Sequence, residues 1–182
     1  EDFMIYSKKY SSPLGEIILN SDGENLTALC FIDGKDYSRY IKIKESEEKN
    51  LPIFDETIKW LDIYFSGKDP GFIPKFKRAD MTPFRQDVVE EMLKIPYGQT
   101  MTYNDIAKKI AKKHDLKRMS AQAVGGAVGW NPICIIVPCH RVIGTNGSLT
   151  GYGGGIKNKI ELLKLEGVNT DKYSIPTKGT AL

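Results

Sequence analysis

Residues 102–129 read TYNDIAKKIAKKHDLKRMSAQAVGGAVG, and this stretch decides the architecture of the second half of the chain. Thr102 followed three residues later by Asp105 is a helix start: the hydroxyl caps, and the carboxylate suits the positive end of the helix. Ile106, Ala107, Ile110 and Ala111 then share one helical face, while Lys108, Lys109, Lys112 and Lys113 take the other. A polar turn follows. A second, short helix is expected from about Ser120 to Gly129, stopped by Asn131-Pro132. Its residues are small: Ala121, Ala123, Gly125, Gly126, Ala127 and Gly129. Two adjacent glycines cost roughly 1 kcal/mol each relative to alanine. Either tight helix packing or close approach of something from outside accounts for them. Between residues 105 and 118 there are six Lys+Arg against two Asp. A helix–turn–helix with so basic a first helix points towards nucleic acid.

Working outward, Thr82-Pro83 begins another helix, with threonine as N-cap and proline at the first helical position. Phe84, Val88, Met92 and Ile95 form its stripe, and Ile95-Pro96-Tyr97-Gly98 stops it. On the other side lies Ile135-Ile136-Val137-Pro138-Cys139-His140-Arg141-Val142, read as a short apolar strand that presents a cysteine, a histidine and an arginine in a row. Both neighbours favour the thiolate, which is the nucleophilic form. Residues 142–155 follow with six glycines and Tyr152, a flexible loop whose amides can face a ligand. A last helix is expected over residues 156–166, packed through Ile156, Ile160 and Leu163 and ended by Gly167. Residues 170–182 read as a loose tail.

The N-terminal part has a different character. Residues 3–10, 16–20 and 25–32 read as three strands joined by short turns, an antiparallel meander. Cys30 lies in the third strand as a core residue, and residues 35–50 read as a charged surface segment. Residues 51–66 read as a helix with Phe54, Ile58, Leu61 and Phe65 on one face. Residues 72–80 read as a connector, which puts one domain at 1–80 and a second at 81–182. Residues 1–75 carry 10 Lys+Arg against 14 Asp+Glu, and residues 76–182 carry 16 against 9. The basic half is therefore the one with the cysteine, which suits a polyanion partner.

The chain has three cysteines, no CxxC spacing and two histidines, His114 and His140. That argues against a disulfide framework and a zinc site and for a reducing, cytoplasmic setting. No apolar run approaches a membrane span, and the first residues lack a signal-peptide pattern. Cys134 is expected in the core and His114 in solvent. From the residues alone, Cys139-His140 also suits a thiol hydrolase or a DNA-binding regulator with a sensing cysteine. The hydrolase leaves the helix–turn–helix unexplained, and the small helix offers a regulator few side chains for base edges.

Residues 82–168 resemble the 6-O-alkylguanine-DNA alkyltransferases (methylated-DNA–protein-cysteine methyltransferases). The resemblance rests on Tyr103 in Thr-Tyr-Asn-Asp-Ile-Ala, on Ala123-Val124-Gly125-Gly126-Ala127 and on Asn131-Pro132. It rests most on Pro138-Cys139-His140-Arg141, Gly151-Tyr152-Gly153-Gly154-Gly155 and Leu165-Glu166-Gly167, in the family's order and spacing. It implies an α+β fold: a small N-terminal antiparallel-sheet α/β domain, ribonuclease H-like, then a mostly helical domain with a helix–turn–helix and an active-site cysteine loop. The implied activity is a stoichiometric, self-inactivating S-methyltransferase that takes the alkyl group of 6-O-alkylguanine, and less well of 4-O-alkylthymine, from double-stranded DNA. It needs no metal, cofactor, membrane or obligatory protein partner, and a monomer suffices.

The same resemblance assigns roles. Cys139 is the nucleophile, His140 takes its proton through a water, and Glu166 orients His140. Asn131 ties the cysteine turn to the helix–turn–helix. Tyr103 donates to a guanine ring nitrogen and the Gly153 amide to the departing oxygen. Carbonyls near Cys139 and Val142 accept from the guanine amino group, and Tyr152 is a pocket wall. The small helix, with Ala123 and Gly126, enters the minor groove while the target nucleotide is flipped out. Gln122 stands where many relatives have an intercalating arginine; it can fill the gap and hydrogen-bond the orphaned base, with less electrostatic help. Gly153 stands where some relatives have serine. Arg141 either binds a phosphate or braces the fold.

Overall fold

A computed structural model describes residues 4–176 of the chain; Phe3 of the first expected strand and residues 177–182 of the expected tail lie outside the described residues. The chain forms two compact units. The first holds the residues up to Ala79 together with Pro132–Ile136, and the second holds Asp80–Asn131 together with the chain from Val137 onward.

In the first unit, β1 (Ile5–Ser12), β2 (Gly15–Ser21) and β3 (Leu26–Phe31) make the expected antiparallel meander. Ile17, Ile18 and Leu19 of β2 are fully buried, so the central strand loses the polar/apolar alternation of a one-faced sheet. The segment read as surface is more than that. It forms a short helix, α1 (Tyr37–Tyr40), and a strand, β4 (Ser46–Glu48), which pairs parallel with β1 and closes the order β3-β2-β1-β4. Ile41 anchors it against Ile18, Ala28 and Cys30. Its charged residues hide this, because an edge strand tolerates them. The helix α2 (Pro52–Phe65) buries Ile53, Phe54, Thr57, Trp60, Leu61 and Tyr64, a face rotated from the expected one. Ile58 and Phe65 are only partly buried. The expected connector is also partly docked: Leu26 N donates to Lys75 O and Lys77 N to Leu26 O, and Phe76 is buried.

The second unit follows the helical reading. α3 (Pro83–Leu93) starts where the Thr82 hydroxyl accepts from Arg85 N. α4 (Tyr103–Lys113) starts with a reciprocal capping box between Thr102 and Asp105 and buries Ile106, Ala107, Ile110 and Ala111. α5 (Ala121–Gly129) is capped by Ser120 and buries only Val124, Ala127 and Val128. α6 (Ile156–Leu165) ends the helical part. Two short strands, β5 (Met101–Thr102) and β6 (Val142–Ile143), pair parallel and bring the start of α4 beside the chain leaving Cys139. No helix among the described residues is long and apolar enough to cross a membrane.

One expectation is corrected near the cysteine. The apolar run before it is not a strand. Ile135 has φ +70°, a left-handed backbone that a β-branched residue adopts only under strain. Ile136 N then turns back to Cys134 O at 2.8 Å. Pairing is confined to Leu29 and Ile133, with Leu29 N donating to Pro132 O and Cys134 N to Leu29 O. Cys139 itself opens a single 3-10 turn, Cys139–Arg141.

Candidate active site

Cys139 is only 8% exposed, and its sulfur lies 3.1 Å from Asn131 Nδ2. The same amide nitrogen donates to Val137 O at 2.9 Å. Asn131 and Val137 flank the five residues counted with the first unit, so this bond closes their excursion and carries an N–H to the thiol at once. A donor aimed at sulfur favours the thiolate, which accepts more strongly than a thiol.

His140 is completely buried and its Nε2 meets Glu166 Oε2 at 2.5 Å. Glu166 can only accept, so Nε2 carries the proton and Nδ1 is the basic nitrogen. The other carboxylate oxygen is held twice, by Arg141 Nε at 2.7 Å and by Gly98 N at 3.0 Å. Burial alone would raise the Glu166 carboxyl, but the bonds and charges of His140 and Arg141 prevail and hold it at about 2. Burial is also the main influence on His140 and holds it below the usual histidine range; Glu166 opposes, and the Arg141 and Lys159 charges add to the lowering. The result is a neutral imidazole oriented by an ionised carboxylate, the state in which a histidine accepts a proton.

Arg141 therefore braces the fold. Its guanidinium is buried, donates to Glu166 and to Ile95 O at 2.9 Å, and lies over the Tyr97 ring. Of the two roles open to it from sequence, these contacts favour the bracing one. The Val142 carbonyl accepts from Lys159 Nζ at 2.7 Å and keeps a second lone pair.

Gly98 is fixed by geometry. Its φ is +79°, and a Cβ there would sit 2.9 Å from the Glu166 carbonyl oxygen. Only glycine lets the turn after α3 come close enough for its amide to reach the carboxylate.

Lys159 was not singled out by sequence. It is 1% exposed, and its ammonium donates to Val142 O and to Thr150 O at 2.9 Å. Among the described residues its partners are these two carbonyls, with no carboxylate. Burial lowers it to about 8, and the Cys139 charge opposes that shift. A cue was present: Lys159 falls three residues after Ile156 and four before Leu163, on the apolar face of α6.

Tyr103 opens α4, and its oxygen accepts from Thr150 Oγ1 at 3.0 Å, which leaves its own proton for another acceptor. Burial raises its phenol, and Cys139 is near enough to add to the rise. Tyr103, Gln122, Gly125, Gly144, Thr145, Thr150 and Gly151 are among the residues lining a cleft of about 500 Å³. Tyr152 is buried, its ring edge-on to His140 at 6.4 Å. Gly153 lies within the tight turn closed by Gly155 N and Tyr152 O at 2.8 Å.

Gln122, Ala123 and Gly126 are exposed on the outer face of α5. A Cβ on Gly125 would make ordinary contact with the Tyr103 ring, and a Cβ on Gly126 would meet nothing within 4 Å. Packing within the protein therefore does not require these glycines. His114 lies apart from the site, at the end of α4, with Nε2 2.7 Å from Asp87 Oδ2. Cys30 and Cys134 are buried.

Residues 83–168 match the family described as 6-O-methylguanine DNA methyltransferase, DNA binding domain, and residues 5–72 match its ribonuclease-like domain. The chain belongs to the 6-O-methylguanine DNA methyltransferase family. It is 42% identical over 163 residues to a Methanosarcina acetivorans methylated-DNA–protein-cysteine methyltransferase, covering 90% of this chain and 99% of the relative. It is 36% identical to the protein of that name from Haemophilus influenzae, covering 89% and 86%. Among solved structures it resembles the Mycobacterium tuberculosis OGT in complex with DNA (TM-score 0.74, 37% identity, 92% and 94% covered). It also resembles the O6-methylguanine-DNA methyltransferase of Pyrococcus kodakaraensis (TM-score 0.64, 26% identity, 91% and 100% covered). The α+β fold class with a ribonuclease-like N-terminal domain stands on these likenesses.

Proposed function

We propose that this chain is a DNA-repair protein that moves the alkyl group of 6-O-alkylguanine, and less well of 4-O-alkylthymine, from duplex DNA to its own Cys139. The observation that carries the reading is one cluster: a buried thiol with an N–H donor on its sulfur, beside a neutral histidine held by an ionised glutamate. The thiol proton passes through a water to His140 Nδ1. The thiolate attacks the alkyl carbon in line, the S–C bond forms, and the C–O bond breaks with its electron pair going to the guanine oxygen. Tyr103 supplies a proton or hydrogen bond to a guanine ring nitrogen, and the Gly153 amide stabilises the departing oxygen. Lys159 keeps a positive charge near sulfur and near the base. The thioether is stable, so each molecule acts once.

DNA binding is assigned to residues 81–182. The bare outer face of α5 lies in the minor groove, Gln122 fills the gap left by the flipped nucleotide, and the lysines of α4 supply salt-sensitive attraction. The protein acts in the cytoplasm as a monomer without metal or cofactor. The test is the intact mass after incubation with a duplex carrying one 6-O-methylguanine, followed by peptide mapping, with Cys139→Ala as control. One methyl group on Cys139 is expected, with none on the variant. DNA binding with an unmodified Cys139 and a persisting lesion would overturn the reading.

A further inference from the structure

The chain does not trail away after α6. Asn169 Oδ1 accepts from Asp171 N, and the 3-10 turn Thr170–Lys172 sends the backbone back across the glycine-rich loop. Ser174 N donates to Gly147 O at 3.0 Å, and Leu149 N donates to Ser174 O at 2.8 Å. The loop between is closed by Gly144 N on Ser148 O at 2.8 Å. The Tyr173 ring packs on Ile143, Leu149 and Leu163, and its hydroxyl lies 2.9 Å from Thr100 Oγ1.

These contacts hold two walls of one cleft. Leu149 immediately precedes Thr150, which bonds Tyr103 across the cleft, and Thr100 lies just before the cap that starts α4 at Tyr103. Beyond its bond to Thr170 O, the hydrogen bonds of Tyr173 and Ser174 go to Thr100 and the loop, not to the partners of the thiol. The segment therefore constrains the rim without entering the chemistry.

We propose that residues 170–174 are a strap that sets the width of the substrate cleft and so selects small alkyl groups over bulky ones. The proposal rests on the alkyl-transfer reading above. A group larger than methyl needs the rim around residues 144–150 to retreat, and retreat breaks the bonds to Ser174. Methyl needs no retreat.

The test compares second-order rate constants for one duplex carrying 6-O-methylguanine and the same duplex carrying 6-O-benzylguanine. The proteins are the full chain, Tyr173→Ala, Ser174→Pro, which removes the N–H to Gly147, and a chain ending at Asn169. Releasing the strap is expected to raise the benzyl-to-methyl rate ratio about tenfold, the scale on which a pocket discriminates by size. Tyr173→Phe, which keeps the ring, is expected to move it less. An unchanged ratio, or a common fall in both rates, would show a merely structural role and overturn the proposal. If the shortened chain fails to fold, Ser174→Pro and Tyr173→Ala still decide. Failure of the full chain to take up methyl would instead overturn the alkyl-transfer reading itself.

Discussion

Replacing Lys159 by methionine separates what the buried ammonium costs from what it does. Its titration point falls from 10.5 to about 8 in the fold. At 1.36 kcal/mol per unit, the charged form is disfavoured by about 3 kcal/mol. The sign follows from linkage. The unfolded chain binds this proton more tightly, so stability rises as pH goes from about 8 to about 10.5, and the full penalty is present at pH 7. Lys159→Met removes the penalty but strips donors from Val142 O and Thr150 O, a loss of roughly 1–3 kcal/mol for each buried carbonyl left unsatisfied. The two sides oppose each other, so the variant is expected within about 3 kcal/mol of the parent at pH 7. Urea unfolding at pH 7, 8, 9 and 10 reads this directly. The parent should gain stability relative to the variant across the upper range, and the difference cancels titration of the tyrosines. Function should move the other way: iodoacetamide labelling of Cys139 and methyl uptake at pH 7 should both slow, because the nearby cation that favours the thiolate is gone. A flat or falling stability difference between pH 8 and 10 would refute the reasoning, as would labelling at the parent rate.

Three further outcomes follow from the same geometry. Glu166, held at about 2 against an ordinary 4.5, contributes about 3 kcal/mol above pH 4.5 that is lost as pH falls towards 2; urea melts of the parent minus Glu166→Gln should lose that contribution over this window. Gly98→Ala should cost at least about 2 kcal/mol and lower Tm, because it combines a positive φ with a clash on the Glu166 carbonyl; an unchanged melt would deny that this turn is tight. Gly126→Leu should leave Tm within a few degrees, since the position is exposed and a Cβ there meets nothing within 4 Å, yet weaken binding to duplex DNA about tenfold or more, a loss of about 1.4 kcal/mol in a titration at fixed salt. Equal affinity would remove α5 from the interface.

The helix–turn–helix could be read from sequence because its signals are local. A capping box spans four residues, and the apolar stripe of α4 repeats within eleven. The features that escaped are set by distant partners. No neighbour of Ile135 announces a left-handed backbone, which arises where Pro132–Ile136 meets Leu29 and turns. β4 is three residues, Ser-Glu-Glu, whose edge position makes charge tolerable. Tyr173 and Ser174 look like tail residues until the loop bonds are seen. Around Cys139 the adjacency of His140 was plain, but Glu166 lies 26 residues further along and was found through the family resemblance alone. Arg141 was left between two roles because a guanidinium reads the same in sequence whether it faces a phosphate or a buried carboxylate.

Those long-range contacts also set Cys139, the proposed nucleophile, apart from the other two cysteines. All three are buried, Cys30 and Cys134 at 2% exposure and Cys139 at 8%, so burial alone separates them little. What differs between Cys30 and Cys139 is the group each sulfur meets. Cys30 Sγ has a carbonyl, Pro132 O, as its partner at 3.9 Å. Cys139 has an amide N–H on its sulfur, a buried ammonium nearby and a neutral imidazole next in sequence. Arg141 completes the arrangement from behind. Burial keeps the imidazole neutral and able to accept a proton, and the Arg141 charge adds to that lowering while Glu166 opposes it. Removing Arg141 would take away one of the influences that oppose Glu166 and so shift His140 upward, although burial still holds it down. The arginine beside the cysteine thus acts on the histidine through the glutamate it holds.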